Sequence, residues 1–545
     1  MDPRVNREGD AGLVHVPAAV IPEPALTGAP AAALGTPVTP SLKIRDLDDL
    51  ACTLRTLRAS GKRIVHSHGV FDLLHLGHIR HFEQAKRMGD VLVVTLTPDE
   101  HVNKGPHRPA FPQEVRAEAV AALGVVDYVA VNRWPLAVEA ILLLKPDVYV
   151  KGSDYEVAAN DITGGITDET EAARRVGGQV RFTNDVVYSS SHLLNRHLPG
   201  VSARAATYLE DFRRRYSADA IRGWIDGLRG LRVVVVGEAI LDEYVYCDAL
   251  GKSAKEPILA MRYLNSELHA GGALAIANHI ADFCDDVRLV TYLGAQNTRE
   301  DFVRSHLRPA VRPTFVLKPD APTIVKRRFV EKYMVTKLLE IYELDDEPLA
   351  PREADAVGAA LHAQLPDADV VLAADFGHGL LDAGATALLC DQSRFLAVNT
   401  QINAANIGFH TISKYRRADY VCIHEGELRL DQRSRSAALQ PMVAGLAEQL
   451  DCRSVMVTRG KRGTLLHQRG GEFFECPSFA TRIVDRTGAG DAVLALTALC
   501  AARDLPPDVI GFLANMVGAH AVATVGNRAP VQRVSLLKSI EAILR

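Results

Sequence analysis

The run Val91–Leu96 (VLVVTL) shows no alternation of polar and apolar residues, and it constrains the fold of this chain more than any other segment. A strand that is apolar on both faces must be covered on both faces, the pattern of parallel sheets flanked by helices. The neighbouring segments alternate accordingly. Asp46 is placed to cap a helix through Ser60; 63–66 reads as a short strand, 79–88 and 113–123 as helices, 126–131 as a strand, 136–144 as a helix and 147–150 as a strand. This succession predicts a doubly wound parallel sheet over 45–198, closed by Pro199-Gly200. Residues 199–230 read as a helical connector with Arg213, Arg214 and Arg215 on a solvated face. A second buried strand at 231–237 opens another α/β domain over 231–545, with later strands expected at 287–291, 370–374, 395–398, 420–423 and 454–458. The stretches 257–264 and 323–342, rich in β-branched and apolar residues, predict a small antiparallel lid. The halves share no motif. The fold class is α/β, with two different doubly wound domains.

Composition narrows function by exclusion. Across 545 residues, 62 Lys+Arg stand against 66 Asp+Glu for a formal charge of −4, with 48% hydrophobic residues. Length alone suggests roughly three domains, and the apolar fraction suits large cores. A dedicated nucleic-acid binder would carry a basic excess, so no nucleic-acid partner is expected. No apolar run approaches the ~18 residues of a membrane span, so no membrane association is expected either. The eight cysteines (Cys52, Cys247, Cys284, Cys390, Cys422, Cys452, Cys476 and Cys500) form no CxxC pair and no zinc spacing, as expected of a reducing cytoplasmic compartment. Residues 1–44 carry Pro3, Pro17, Pro22, Pro24, Pro30, Pro37 and Pro40 among Ala and Gly, which predicts a disordered tail. Asp10, Glu23 and the prolines interrupt any apolar core of a signal peptide.

The segment Gly69-Val-Phe-Asp-Leu-Leu-His75-Leu-Gly77-His78 follows a strand and opens a helix. A helix N-terminus offers unsatisfied N–H groups and a positive dipole end to phosphate. Gly77 permits close backbone approach, and His75 and His78 add imidazole donors beside the same phosphates. Fixed donors there would stabilise charge on a pentacoordinate phosphorus and a departing pyrophosphate. The region resembles the HIGH-type nucleotidyltransferases, which include glycerol-3-phosphate cytidylyltransferase and sugar-1-phosphate adenylyltransferases. The resemblance is carried by GVFDLLHLGHIRH from Gly69, Lys104-Gly105, Arg108-Pro109, Arg116, Lys151-Gly-Ser-Asp154-Tyr155 and Ser189-Ser190-Ser191. It implies a Rossmann-like domain in which His75 and His78 grip the β- and γ-phosphates. Lys104 and Arg116 would neutralise the reacting phosphates. Phe71, Gly77 and Asp154 would line the nucleotide site, and Ser190 and Ser191 would bind phosphate at a second helix start.

Near the other end stands Asp485-Arg-Thr487-Gly488-Ala489-Gly490-Asp491, followed by an apolar helix expected at 492–502. Glycines at a helix start make a backbone-amide nest for an anion. An Asp placed directly after the nest can take the proton from an attacking hydroxyl as a γ-phosphoryl group arrives. This pattern resembles the ribokinase-like carbohydrate kinases, and implies a kinase domain with a small β lid and Asp491 as base. Gly488, Ala489 and Gly490 would form the anion nest. By the same resemblance Asp242, Gly271 and Gly272 would bind sugar, Lys326 and Arg328 would reach it from the lid, Thr458 and Gly460 would flank the nucleotide, and Glu427 would be the metal-linked acid of the NxxE motif. Three departures stand out: Ala275 replaces an Asn after the glycine pair, His424 replaces the NxxE Asn, and the amide-rich run from Asn399 through Asn403 to Asn406 replaces an Asp-Pro-Lys style element. Loss of one amide shifts sugar specificity, and Asn399 and Asn403 are expected to bind the polyol instead.

A nucleotidyltransferase joined to a carbohydrate kinase suggests consecutive steps of sugar activation. The pairing resembles the bifunctional heptose 7-phosphate kinase and heptose 1-phosphate adenylyltransferase family, with the domain order reversed. That implies ATP-dependent phosphorylation of a heptose-like sugar or sugar phosphate and transfer of a nucleotidyl group from ATP or CTP to a sugar 1-phosphate. Mg²⁺ is implied by both reactions, and a homodimer through the lid strands by resemblance. A cytidylyltransferase that makes a CDP-polyol beside a divergent or regulatory kinase domain is the alternative.

Overall fold

The computed structural model describes residues 40–102, 108–152, 165–183, 201–333 and 335–544. The proline-rich stretch 1–39, Lys104, Asp154, Ser190 and Ser191 lie outside the described residues.

The first sheet joins β1 (Ile64–Gly69), β2 (Val91–Leu96), β3 (Tyr128–Val131), β4 (Val148–Gly152) and β5 (Gln179–Thr183) in the order β3-β2-β1-β4-β5, every pair parallel. Every residue of β2 is buried, as its unbroken apolar run requires. Helix Leu47–Ala59 is capped by Asp46, whose carboxylate accepts from Asp48 N. The direction of winding reverses between β1 and β4. Ligands of such sheets bind outside the carboxyl ends of the strands at that reversal, where the chain leaves β1 toward His75 and His78.

The second unit contains β6 (Arg232–Gly237), β7 (Ala239–Lys252), β8 (Leu259–Gly272), β9 (Asp286–Gln296), β10 (Val311–Pro322), β11 (Ile324–Glu331), β12 (Thr336–Glu343), β13 (Val370–Asp375), β14 (Leu396–Thr400), β15 (Tyr420–His424), β16 (Ser454–Thr458), β17 (Thr464–Gln468) and β18 (Phe473–Cys476). A nine-stranded sheet runs β10-β9-β6-β13-β14-β15-β16-β17-β18, parallel as far as β16 and antiparallel beyond it. The apolar helix Ala489–Ala502 is buried along nearly its whole length and belongs to the same core as β6, β13 and β15.

The lid differs from the expectation. It is a four-stranded sheet in the order β12-β11-β7-β8, and its central pair, β7 with β11, is parallel. The expected antiparallel pairing holds for β7 with β8 and for β11 with β12. β6 and β10 are parallel strands of the main sheet, so their continuations β7 and β11 leave its edge in the same direction. Pairing then has to be parallel.

The connector also departs from its reading. It forms two helices, Ala203–Arg215 and Ala218–Asp226, each capped by a serine (Ser202, Ser217). Phe212, Ile221 and Ile225 are fully buried in the core of the second unit. Arg213 donates to the Ile543 carbonyl, and Arg215 pairs with Asp508, which also accepts from the Tyr216 hydroxyl at 3.0 Å. Arg214, paired with Asp211, and Arg215 both stay exposed, as expected, while Arg213 is half-buried. An amphipathic helix with a charged stripe looks the same whether that stripe meets water or buried acceptors.

Candidate active sites

The glycine nest and the expected sugar ligands come together at the carboxyl edge of the large sheet. Gly488 caps helix Ala489–Ala502 with φ 78°, a left-handed value that favours glycine. A Cβ on Gly488 would lie 2.0 Å from Asn527 Oδ1. Gly490 and Gly460 border open space, so a ligand can approach both backbones closely. Asp491 is buried in the first turn of the helix. Burial, reinforced by the Asp242 and Glu427 carboxylates and opposed by Lys326, pushes its carboxyl up to about 7.

Asp242 lies on β7 beside Lys326 of β11, in register. Its carboxylate accepts from Arg328 Nη1 at 2.5 Å and from Asn527 Nδ2 at 3.0 Å. Gly271 stands diagonally across on β8, where a Cβ would come within 2.1 Å of Asp242 Oδ2. The glycine pair therefore clears space for this carboxylate, and Gly272 (φ 55°) turns the strand into helix Ala273–Ile280. Ala275 lies buried within that helix. Burial lowers the pKa of Lys326, with Asp242 opposing, whereas for Arg328 burial is outweighed by Asp242 and the pKa rises.

Glu427 closes a capping box on helix Glu425–Asp431. Its carboxylate accepts from His424 N at 2.8 Å, and Gly426 N donates to His424 Nδ1 at 3.0 Å. Burial, opposed by the His424 and Ile402 N–H groups, pushes Glu427 up to about 7. His424 thus replaces the expected Asn without loss of the cap, because an imidazole nitrogen accepts as an amide oxygen does. Thr458 ends β16 opposite His424.

Asn399 and Asn403 are half-buried and bonded to backbone groups. Asn399 Nδ2 donates to the Cys422 carbonyl at 2.6 Å, and Asn403 Nδ2 to the Phe376 carbonyl at 3.0 Å, while Asn403 Oδ1 accepts from Ala405 N. Both amides donate to backbone carbonyls, one within β15 and one just after β13. Asn527 and Lys337 were missed in the sequence. Lys337 Nζ lies 2.6 Å from Asp485 Oδ1 and 2.5 Å from Thr487 Oγ1. No motif marks either residue, since each meets its partner only through tertiary folding.

In the first unit His75 caps helix Leu76–Lys86 by accepting from Gly77 N at 3.1 Å. Its ring stacks on His78 with centroids 3.9 Å apart, and Phe71 meets His78 edge-on at 5.3 Å. A Cβ on Gly69 would strike the Phe71 ring at 2.9 Å, so that glycine is required by the aromatic packing. Asp72 is buried and accepts from Arg108 Nη1 at 3.1 Å and Ala110 N at 2.7 Å. Arg116 corrects the expectation of a phosphate ligand. Its side chain is fully buried and donates to the Val70, Thr97 and Phe111 carbonyls and to Asp99 Oδ1 at 2.6 Å. A guanidinium so engaged ties the loop after β1 to the loop after β2.

These two constellations match known families. Residues 67–222 match the cytidylyltransferase-like family, and residues 231–533 match the pfkB family carbohydrate kinases. The chain belongs to the pfkB family of carbohydrate kinases. The pfkB match carries the Asp485–Asp491 nest, Asp242, the glycine pair and Asn527, and the cytidylyltransferase-like segment precedes it in the chain. Among curated proteins, the chain is 30% identical over 304 residues to a bifunctional protein HldE of Rhodopseudomonas palustris, 54% of this chain and 60% of that one. It is 43% identical over 124 residues to a bifunctional protein HldE of a Nitratiruptor species, 22% of this chain and 27% of that one. A bifunctional protein HldE of Syntrophotalea carbinolica is 36% identical over 163 residues, 29% of this chain and 32% of that one. The chain thus spans at most about three fifths of these relatives, with shares of 60%, 27% and 32%.

Proposed function

We propose that this chain activates a sugar in two reactions, an ATP-dependent phosphorylation in the pfkB unit and a nucleotidyl transfer from an NTP to a sugar 1-phosphate in the unit around His75 and His78. The observation that carries the kinase half is the buried Asp491 carboxylate beside the glycine nest, within electrostatic reach of Asp242 and Lys326. Asp491 takes the proton of the attacking hydroxyl. A bond forms from that oxygen to the γ-phosphorus, the bond to the β-phosphate bridge breaks, and ADP leaves with the electron pair. Asp242, fixed by Arg328 and Asn527, accepts hydrogen bonds from sugar hydroxyls, and the N–H groups at Gly488–Asp491 receive the transferring charge.

In the transferase half a sugar-phosphate oxygen attacks the α-phosphorus and pyrophosphate departs toward the His75–His78 pair at the helix start. Positioning dominates this reaction because the attacking phosphate is already a nucleophile. The bifunctional names of the relatives and the order of the two matched segments support the pairing. The cytidylyltransferase-like match favours CTP as a donor to be tested beside ATP, and with it the CDP-polyol alternative.

Both families act on nucleotides, and Mg²⁺ is the ion proposed. Among the described residues no cluster of three or more His, Cys, Asp or Glu side chains could hold an ion. Mg²⁺ would arrive with the nucleotide, and Glu427 is the carboxylate proposed to stand beside it. No helix among the described residues is long and apolar enough to cross a membrane. A cytoplasmic location is proposed on the cysteines, which are free thiols and, apart from Cys52, buried. The exposed Leu259, Tyr263, Leu339 and Ile341 on the lid support a homodimer through that sheet.

A panel of sugars and sugar phosphates with ATP and CTP, scored by mass spectrometry for phosphorylated and nucleotidylated products, tests the proposal. His78→Ala should abolish pyrophosphate release and spare phosphorylation, and Asp491→Ala should do the reverse. Unchanged turnover in both variants would sink it.

A further inference from the structure

Lys337 joins the lid to the nest. It stands near the start of β12, the edge strand of the lid, where its backbone pairs with Val330 at a register shift. Its ammonium leaves the lid and sits between Asp485 Oδ1 (2.6 Å) and Thr487 Oγ1 (2.5 Å), above the Tyr244 ring at 5.5 Å. Asp485 is buried. Its Oδ2 accepts from the Tyr244 hydroxyl at 2.7 Å and Gly526 N at 3.1 Å, and its Oδ1 from Thr487 N at 3.0 Å.

Four donors therefore hold the carboxylate, and Lys337 is the charged one. The other three are neutral, and a buried carboxylate needs an opposite charge to remain ionised at low cost. Thr487 immediately precedes Gly488, so the ammonium acts on the residues that shape the nest. Three positions along the same strand, Glu340 accepts from Arg328 Nε at 2.9 Å, and Arg328 in turn holds Asp242. One edge strand thus touches the sugar side through Glu340 and the phosphate side through Lys337, roughly 10 Å apart at strand rise.

We propose that Lys337 is a positioning residue for phosphoryl transfer, which keeps the glycine nest in its anion-binding shape only while the lid is seated, so that sugar and nucleotide strengthen each other's binding. This rests on the kinase reading above. Lys337 belongs to the edge strand β12, whereas Asp485 is tied to the central lid strand β7 through Tyr244 and to the loop at Gly526 through its N–H. A sugar that draws Arg328 and Glu340 inward seats the ammonium on Asp485, and by linkage the nucleotide then favours the seated lid.

The test uses the full chain and MgATP, with and without the sugar phosphate that the product screen identifies. Lys337→Met should raise the KM for ATP about tenfold while kcat changes less than threefold, and should speed amide exchange in 485–491 when the sugar is bound. Lys337→Arg should restore most of both. Lys337→Gln serves as a second neutral variant if the Met variant does not fold. Wild-type KM and wild-type exchange in the neutral variants would overturn the proposal, as would an Arg variant no better than Met. Asp491→Asn distinguishes the two readings: it should abolish turnover and leave MgATP affinity and exchange in 485–491 unchanged. If the wild type phosphorylates nothing, the kinase reading fails, and MgATP affinity and exchange still decide the role of Lys337.

Discussion

Asn527 donates to the Asp242 carboxylate at 3.0 Å while its Oδ1 occupies the place that a side chain on Gly488 would need. One amide, beyond the last conspicuous motif, therefore ties the Asp242 carboxylate to the turn at Gly488.

Gly488→Ala should be severe. The methyl would lie 2.0 Å from Asn527 Oδ1 in a backbone at φ 78°. Displacing Asn527 removes one of the two side-chain donors on Asp242 and distorts the turn at Gly488, so phosphorylation should fall at least about a hundredfold, comparable with loss of one transition-state donor. Pyrophosphate release in the same preparation should be unchanged. Asn527→Ala should raise the KM for the sugar more than it lowers kcat, which steady-state kinetics would read.

Asp491 predicts opposite pH trends for activity and stability. Its carboxyl titrates at about 7, because burial outweighs the help of Lys326. The base form is lost as pH falls through 7, so phosphorylation should decline toward pH 6. In the unfolded chain the same group ionises near its ordinary value of about 3.9. Between that value and 7 the folded state increasingly disfavours the ionised form, and the cost is complete at pH 8. Asp491→Asn should accordingly raise the Tm at pH 8 by roughly 2 °C or more, with no gain near pH 3.5, measured by calorimetry.

The first unit should lose stability in acid through neutral buried histidines. Burial, with Lys151 nearby, holds His66 at about 3, His81 at about 4 and His68 well below its usual value. His66 Nε2 and His68 Nδ1 both meet Thr95 Oγ1 at 2.8 Å, and His81 bridges Ser67 and Thr183. The unfolded chain takes up these protons near pH 6.5 and the folded chain does not. Each histidine should therefore contribute a loss of up to about 1.4 kcal/mol per pH unit as pH falls below 6.5. Hydrogen exchange of β1 and β2 between pH 7 and 5 reads this, and His81→Gln should flatten the slope.

The connector should prove integral to the kinase. Phe212 is fully buried and stacks on Phe512 with centroids 4.3 Å apart. Phe212→Ala should destabilise the second unit by roughly 3–5 kcal/mol, seen as a lowered melting step, while pyrophosphate release persists below that step. A kinase truncated to begin at 231 should be poorly soluble, because it exposes the surface that Phe212, Ile221 and Ile225 cover.

Local chemistry was legible in the chain. The unbroken run of β2 required burial on both faces, the Asp46 cap and the Gly488–Asp491 helix start followed from residue types alone, and His75 and His78 stand at a helix start where β1 ends. What escaped was every role set by a distant partner. Arg116 has the right charge for a phosphate, yet Val70, Thr97 and Asp99 surround it. Asn399 and Asn403 have the right amides for a polyol, and the structure adds that each donates to a backbone carbonyl on a neighbouring segment.

The sequence by itself determined two α/β units, the strand-to-helix turns that offer amides to phosphate, and the acid that follows the nest. These depend on periodicity and on neighbours within a few residues. Only the tertiary structure decided that β7 and β11 pair in parallel, that Asn527 meets Asp242 across 285 positions, and that Lys337 meets Asp485 across 148. The physical reason is that a side chain's hydrogen-bonding capacity is written in its residue type, whereas its partner depends on which strands the main sheet sends out of the same edge.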